Sequence, residues 1–144
     1  MGIAKTYSVK HMVKLGLVVL VLLQTSCSMK TKTNEDGNSI APNTYQLVEI
    51  LASTDSFPGG MPEIVFGDSG ELTGFTGCNR FFGNYTTMKK QLSLKAIGMT
   101  KMFCFNVGEP AFLHVLEQTT GFEQKDTLLY LKAGEKKIAI FKLK

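Results

Sequence analysis

The hydrophobic and polar positions of this chain fall into three regimes. Leu15 to Leu23 (LGLVVLVLL) is continuously apolar, whereas residues 28–43 (SMKTKTNEDGNSIAPN) carry almost no apolar content and no period. From Thr44 onward, short apolar stretches alternate with turn residues, the pattern of strands. Tyr45 to Leu51 (YQLVEIL) is rich in β formers and predicts a first strand, followed by a loop from Asp55 to Met61 punctuated by Pro58-Gly59-Gly60. Glu63 to Phe66 and Glu71 to Phe75, joined by Gly67 to Gly70, predict a hairpin. Tyr85 to Met88 and Gln91 to Ile97 predict a second, turning at Lys89-Lys90. Thr127 to Lys132 and Lys137 to Leu143, either side of Ala133 to Lys136, predict a third. One stretch departs from this pattern. Glu109 to Gln118 (EPAFLHVLEQ) places Phe112, Leu113 and Leu116 at helical spacing, with Pro110 in the first turn and Glu109 where the helix dipole favours an acid. Gly121 falls past its end. The expected fold is α+β and mostly antiparallel β, a compact β-sheet roll or flattened barrel with one short helix packed on it.

The apolar run is preceded by Lys5, Lys10, His11 and Lys14 and followed by Gln24, Thr25, Ser26 and Cys27. A basic segment, a short apolar core and small residues describe a secretory signal peptide, and nine apolar residues fall well short of the ~20 a spanning helix needs. LLQTSC resembles the lipobox of bacterial lipoproteins, in which the cysteine becomes the lipidated first residue; Gln24 stands where an aliphatic residue is usual. That resemblance implies a signal peptide over 1–26, a lipidated Cys27 with a flexible tether over 27–43, and a folded domain over 44–144. The 16 residues after Cys27 would hold the domain roughly 20–24 Å from its anchor. Ser28, with no acidic run behind it, suggests by analogy an outer-membrane protein facing the periplasm. The alternative is a plain secreted protein with a stray cysteine.

Removing 1–26 changes the charge. Lys5, Lys10 and Lys14 leave and no acid leaves with them, so the formal +4 falls to +1. The apparent basicity belongs to the leader and makes no case for nucleic acid. Cys78 and Cys104 then remain as a pair in an exported protein, either as a disulfide constraining the unfolded chain by about 3–4 kcal/mol or as two buried thiols. His114 is the one histidine left, placed on the helix away from Phe112, Leu113 and Leu116. Cys78, Cys104 and His114 could supply three metal ligands, but no CxxC or HxxxH pair brings two together, and the acids are scattered singly. We therefore expect no metal, no cofactor and no catalytic constellation.

Gly74 to Tyr85 (GFTGCNRFFGNY) is the most informative segment. Its glycines predict a bent backbone with positive φ, Gly74, Gly77 and Gly83 serving as bulge and turn positions that let Cys78, Phe81 and Phe82 turn inward. The run Gly77-Cys78-Asn79-Arg80-Phe81-Phe82-Gly83-Asn84-Tyr85, then Thr100-Lys101-Met102-Phe103-Cys104, then Glu109 with Phe112-Leu113 and Leu116, resembles the META domain, or HslJ-like, family. The likeness covers about Thr44 to Lys142; Tyr45 stands where the family more often has Trp. It implies a compact β-rich fold with one helix and an envelope location for bacterial members. It brings no accepted enzymatic activity and no agreed catalytic residues, with loose links to stress tolerance, motility or secretion. Gly77, Cys78, Asn79, Phe81, Gly83, Tyr85, Thr100, Met102, Cys104 and Glu109 are then structural motif positions.

Phe75, Phe81, Phe82, Phe103 and Phe105 could line an apolar groove or simply form core. Three function classes follow. The first is a non-catalytic envelope module that binds a protein, supporting stress tolerance, assembly or secretion. The second is a carrier of a lipid or other small apolar ligand. The third is a thiol-redox protein, which the wide separation of Cys78 and Cys104 disfavours. Partners are expected to be a membrane, through the lipid, and an envelope protein, with no nucleic acid.

Overall fold

Antiparallel neighbours joined by tight turns can close a sheet without crossover connections, and the apolar alternation along this chain supplies a single inward face. The computed structural model describes residues 39–105 and 108–144. The expected signal peptide, Cys27 and most of the tether lie outside the described residues. Eight strands run in order, β1 Asn43–Ile50, β2 Glu63–Phe66, β3 Glu71–Phe75, β4 Arg80–Met88, β5 Gln91–Met99, β6 Gly121–Lys125, β7 Leu128–Ala133 and β8 Lys136–Leu143. A single described helix, α1 Glu109–Gln118, lies between β5 and β6. Each strand pairs with its successor and β8 returns to β1, closing an antiparallel barrel. The expected roll or flattened barrel is thus a closed one.

The inward face is continuous around the wall. Tyr45 and Leu47, Ile64 and Phe66, Leu72, Phe81, Leu92, Phe122, Leu129 and Leu131, Ala139 and Phe141 are all buried in one core. Phe112, Val115 and Leu116 of α1 join it, Phe112 packing between Phe81 and Phe141 at ring separations of 6.0 and 6.3 Å. The helix spans the residues its periodicity predicts. Its last turn is closed by Thr119, whose hydroxyl donates to Val115 O at 2.7 Å.

Four expectations need correcting. The domain starts earlier than Thr44: Ile40 is buried, and Ala41 O accepts the Tyr45 hydroxyl at 3.0 Å. β4 begins at Arg80 rather than Tyr85, so the glycine-rich segment is largely strand. Of the three glycines there, only Gly77 has a positive φ (98°), while Gly83 sits at a shift of register between Phe82 and Asn84. Gly74 lies within the β3–β4 ladder opposite Phe81, where an added Cβ would fall 2.5 Å from that ring and 2.1 Å from Glu63 O. The fourth is β6, which the sequence reading passed over. Its five residues, GFEQK, hold one large apolar side chain, Phe122, and Gly121 reads equally well as a helix stop.

Candidate functional site

The turn between β3 and β4 contains two buried polar residues, Thr76 at 0% and Asn79 at 2% exposure. Buried polar groups are costly unless paired, and here the pairing is complete. Thr76 N donates to Asn79 O at 2.8 Å, and the Thr76 hydroxyl oxygen accepts Asn79 N at 2.8 Å and Cys78 N at 3.3 Å. The Thr76 hydroxyl thus accepts the Asn79 N–H that the residue's own carbonyl takes in an ordinary turn, beside the backbone bond from Thr76 N. Gly77 supplies the left-handed residue the turn requires, and the Phe57 ring lies only 2.7 Å from where a Cβ would stand.

The Asn79 amide then behaves like one more peptide unit of the sheet. Its Oδ1 accepts Met102 N at 2.7 Å and Thr100 Oγ1 at 2.9 Å. Its Nδ2 donates to Met102 O at 3.2 Å and to the two carboxylate oxygens of Glu109 at 3.1 and 3.2 Å. The Thr76 hydroxyl also donates to that carboxylate. One amide therefore joins the β3–β4 turn, the chain leaving β5 and the first turn of α1. A Cys78–Cys104 disulfide bridges the first two of these loops, with the Cα atoms 6.0 Å apart.

This anchored node displays an apolar surface. Met102 is 62%, Phe103 82% and Phe105 79% exposed, the two phenylalanine rings edge-to-face at 4.8 Å. Phe82 and Met99 are exposed elsewhere on β4 and β5, and Arg80 and Lys101 are exposed as well. The five phenylalanines are therefore not gathered into one groove. Phe81 is core and Phe82 faces solvent, because consecutive residues of a strand point to opposite faces, so the expectation that both turn inward fails at Phe82.

The other motif positions fall around this node. Tyr85 is half-buried, its hydroxyl donating to Gly67 O at 2.7 Å and its ring edge-to-face with Phe66 at 4.9 Å. Burial, then the nearby charges of Glu71 and Asp68, raise that hydroxyl's pKa above 10.0. Thr100 accepts Arg80 N at 3.1 Å, holding the chain that leaves β5. His114 is exposed on α1, and both domain cysteines are held in the disulfide. Among the described residues no three His, Cys, Asp or Glu side chains converge to hold a metal. The residue sequence reasoning missed is Thr76; a threonine three before an asparagine in a glycine turn was the signal available.

A family model described as the META domain matches residues 38–144. The chain belongs to the META domain family. It is 28% identical over 91 residues to heat shock protein HslJ of Escherichia coli (strain K12), a match covering 63% of this chain and 64% of that relative, so it spans less than two thirds of the relative's length. Two solved NMR structures share the META barrel seen here. One superposes with a TM-score of 0.57, covering 76% of this chain and 92% of its own. The other, of a protein from Burkholderia xenovorans, gives 0.55 with 76% and 95% coverage; each is 22% identical. At that identity the likeness establishes the fold alone.

Proposed function

We propose that this chain is a non-catalytic cell-envelope lipoprotein, tethered through Cys27, whose Met102–Phe105 loop binds a protein partner and supports envelope stress tolerance, assembly or secretion. The observation that carries the reading is the exposure of Phe103 and Phe105 on a segment fastened from beneath by Asn79 and the disulfide. Contiguous exposed aromatics mark interaction surfaces, and a preorganised loop gives up little entropy on binding. The heat-shock name of the Escherichia coli relative accords with a stress role.

Strand directions support a protein partner over the anchoring membrane. Asn43, where the chain enters β1, pairs with Phe66 at the end of β2, whereas Glu63 at the start of β2 pairs with Phe75, beside Arg80 and the end of β5. The loop and the entry of the chain into β1 therefore lie at opposite ends of the barrel. The Thr76 hydroxyl that donates to the Glu109 carboxylate is fully buried and accepts two backbone N–H groups of its own turn, which suits a structural role rather than that of a nucleophile.

A photo-cross-linking residue placed at Phe103 in intact cells tests the reading. A discrete protein adduct, lost on Phe105→Ala, is expected; adducts to lipid alone would end it. Palmitate labelling that persists in Cys27→Ser would remove the anchor.

A further inference from the structure

Seven of the eight seams of the barrel carry ladders of four or more residue pairs. The seam between β5 and β6 carries one, Gln91↔Gly121, flanked by Leu92 N donating to Thr120 O at 3.1 Å and Phe122 N donating to Lys90 O at 3.0 Å. Beyond it β5 continues from Ser93 to Met99 with no strand on its β6 side among the described residues, while the chain across the seam turns back into α1. Between them lies a cleft of about 720 Å³, lined among others by Ser93, Leu94, Ile97, Leu116, Glu117 and Thr120.

The hydrogen-bonding phase of β5 defines what this cleft presents. Met88 and Gln91 flank the two-residue Lys89-Lys90 turn, so Gln91 and Ser93 direct their peptide groups to β4, and Leu92 and Leu94 direct theirs to the cleft. Thr120 satisfies Leu92 N; Leu94 has no backbone partner on that side among the described residues. Leu94 and Ile97 are half-buried against the core, so their remaining apolar surface faces the cleft. Glu117 is the one charged lining residue, but Lys89, Lys90 and Lys95 stand exposed along the turn and strand and form no ion pair among the described residues.

We propose that the open edge of β5 takes an extended, acidic peptide as an added strand, lying between β5 and the end of α1. Strand addition satisfies the edge's peptide groups, alternate apolar side chains enter toward Leu94, Ile97 and Leu116, and carboxylates on the other face meet the lysines. The edge from Ser93 to Met99 is long enough for a peptide of about 20 Å. An acyl chain would leave the edge's hydrogen-bonding groups and the rim hydroxyls of Thr86 and Ser93 unpartnered. This site stands apart from the Met102–Phe105 loop, and either can fail without the other.

The test uses the full chain in lipid nanodiscs and the peptide Glu-Val-Thr-Val-Glu-Val, capped at both ends. Fluorescence anisotropy reads affinity, and hydrogen exchange reads the site. Saturable binding with slowed exchange over Ser93–Met99 is expected. Methylating alternate peptide nitrogens on the edge-facing side should weaken binding by about tenfold or more, and replacing both glutamates by lysines should weaken it by several fold. Lys95→Glu, with unaltered exchange over β1 and β8 as its folding control, should abolish the charge preference. Absence of saturable binding at millimolar peptide, binding indifferent to nitrogen methylation, or protection confined to Met102–Phe105 would each overturn the proposal.

Discussion

β8 is laddered on both flanks, to β7 from Leu128↔Lys142 to Ala133↔Lys136 and to β1 from Tyr45↔Leu143 to Ile50↔Ala139. β5 is laddered to β4 along its length but meets β6 at a single pair. The same barrel is thus fully laddered on one side and held by a single backbone pair, with a cleft beside it, on the other. On the β5 side the chain enters α1 instead of a directly laddered strand, with Phe112, Val115 and Leu116 buried in the common core and the Asn79–Glu109 link fixing where the helix begins. Backbone closure is indifferent to sequence as long as strands alternate. The helix and the loops that meet it depend instead on particular residues, among them Asn79, whose amide joins Met102 and Glu109.

The largest predicted effect follows directly. Phe112→Ala removes a fully buried ring from between Phe81 and Phe141 and should cost about 3–5 kcal/mol in denaturant unfolding, as much as truncating a strand residue of the same core. A loss below about 1 kcal/mol would mean that the helix merely covers the barrel and that the comparison is wrong. Asn79→Ala comes next, at about 2–3 kcal/mol, because it leaves the Met102 peptide and the Glu109 carboxylate without their amide. Its signature is regional. Hydrogen exchange should accelerate over α1 and the residues after β5 while β1 and β8 stay protected, whereas uniform acceleration would show that the two sides do not differ in how they are held.

How far this could be read beforehand follows the same division. The β2–β3 hairpin and the C-terminal hairpin are legible from alternation and turn residues, because neighbouring strands need only local information. Helix α1 is legible from Pro110 and the spacing of Phe112, Leu113 and Leu116. The closure is not, since the pairing of Tyr45 with Leu143 joins residues from opposite ends of the domain and no local pattern encodes it. Nor is β6, with Phe122 as its single strong apolar residue. At the site, Asn79, Met102 and Glu109 could be singled out through the family resemblance, but their joining by one amide is a tertiary fact, and Thr76 went unnoticed beside the louder cysteine. Phe103 and Phe105 could not be told from core by composition; the disulfide ties Cys104 to buried Cys78, and the rings on either side of it are left exposed.

The smallest effect probes the laddered side, where single side chains should matter least. Tyr45 donates to Ala41 O and accepts Gln124 Nε2 at 3.1 Å, its ring edge-to-face with Phe66 at 5.9 Å. Burial raises its pKa above 10.0, the Gln124 hydrogen bond opposes the rise, and Tyr85 adds to it. Both tyrosines therefore ionise later in the folded chain than in the unfolded one. Their contribution to stability is whole below pH 10.0 and is lost as pH climbs from there through the folded-state values. Tyr45→Phe keeps the ring and should cost only about 0.5–1.5 kcal/mol at pH 7. It should also make the decline in urea midpoint above pH 10 shallower than in the parent chain. A decline of unchanged steepness in both Tyr45→Phe and Tyr85→Phe would show that the alkaline loss does not pass through these hydroxyls and would turn attention to other side-chain contacts of this face, such as the Lys137–Glu123 pair that ties β8 to β6 across the face of β7. That outcome would mean the laddered side also relies on specific side chains, and the contrast between the two seams would narrow accordingly.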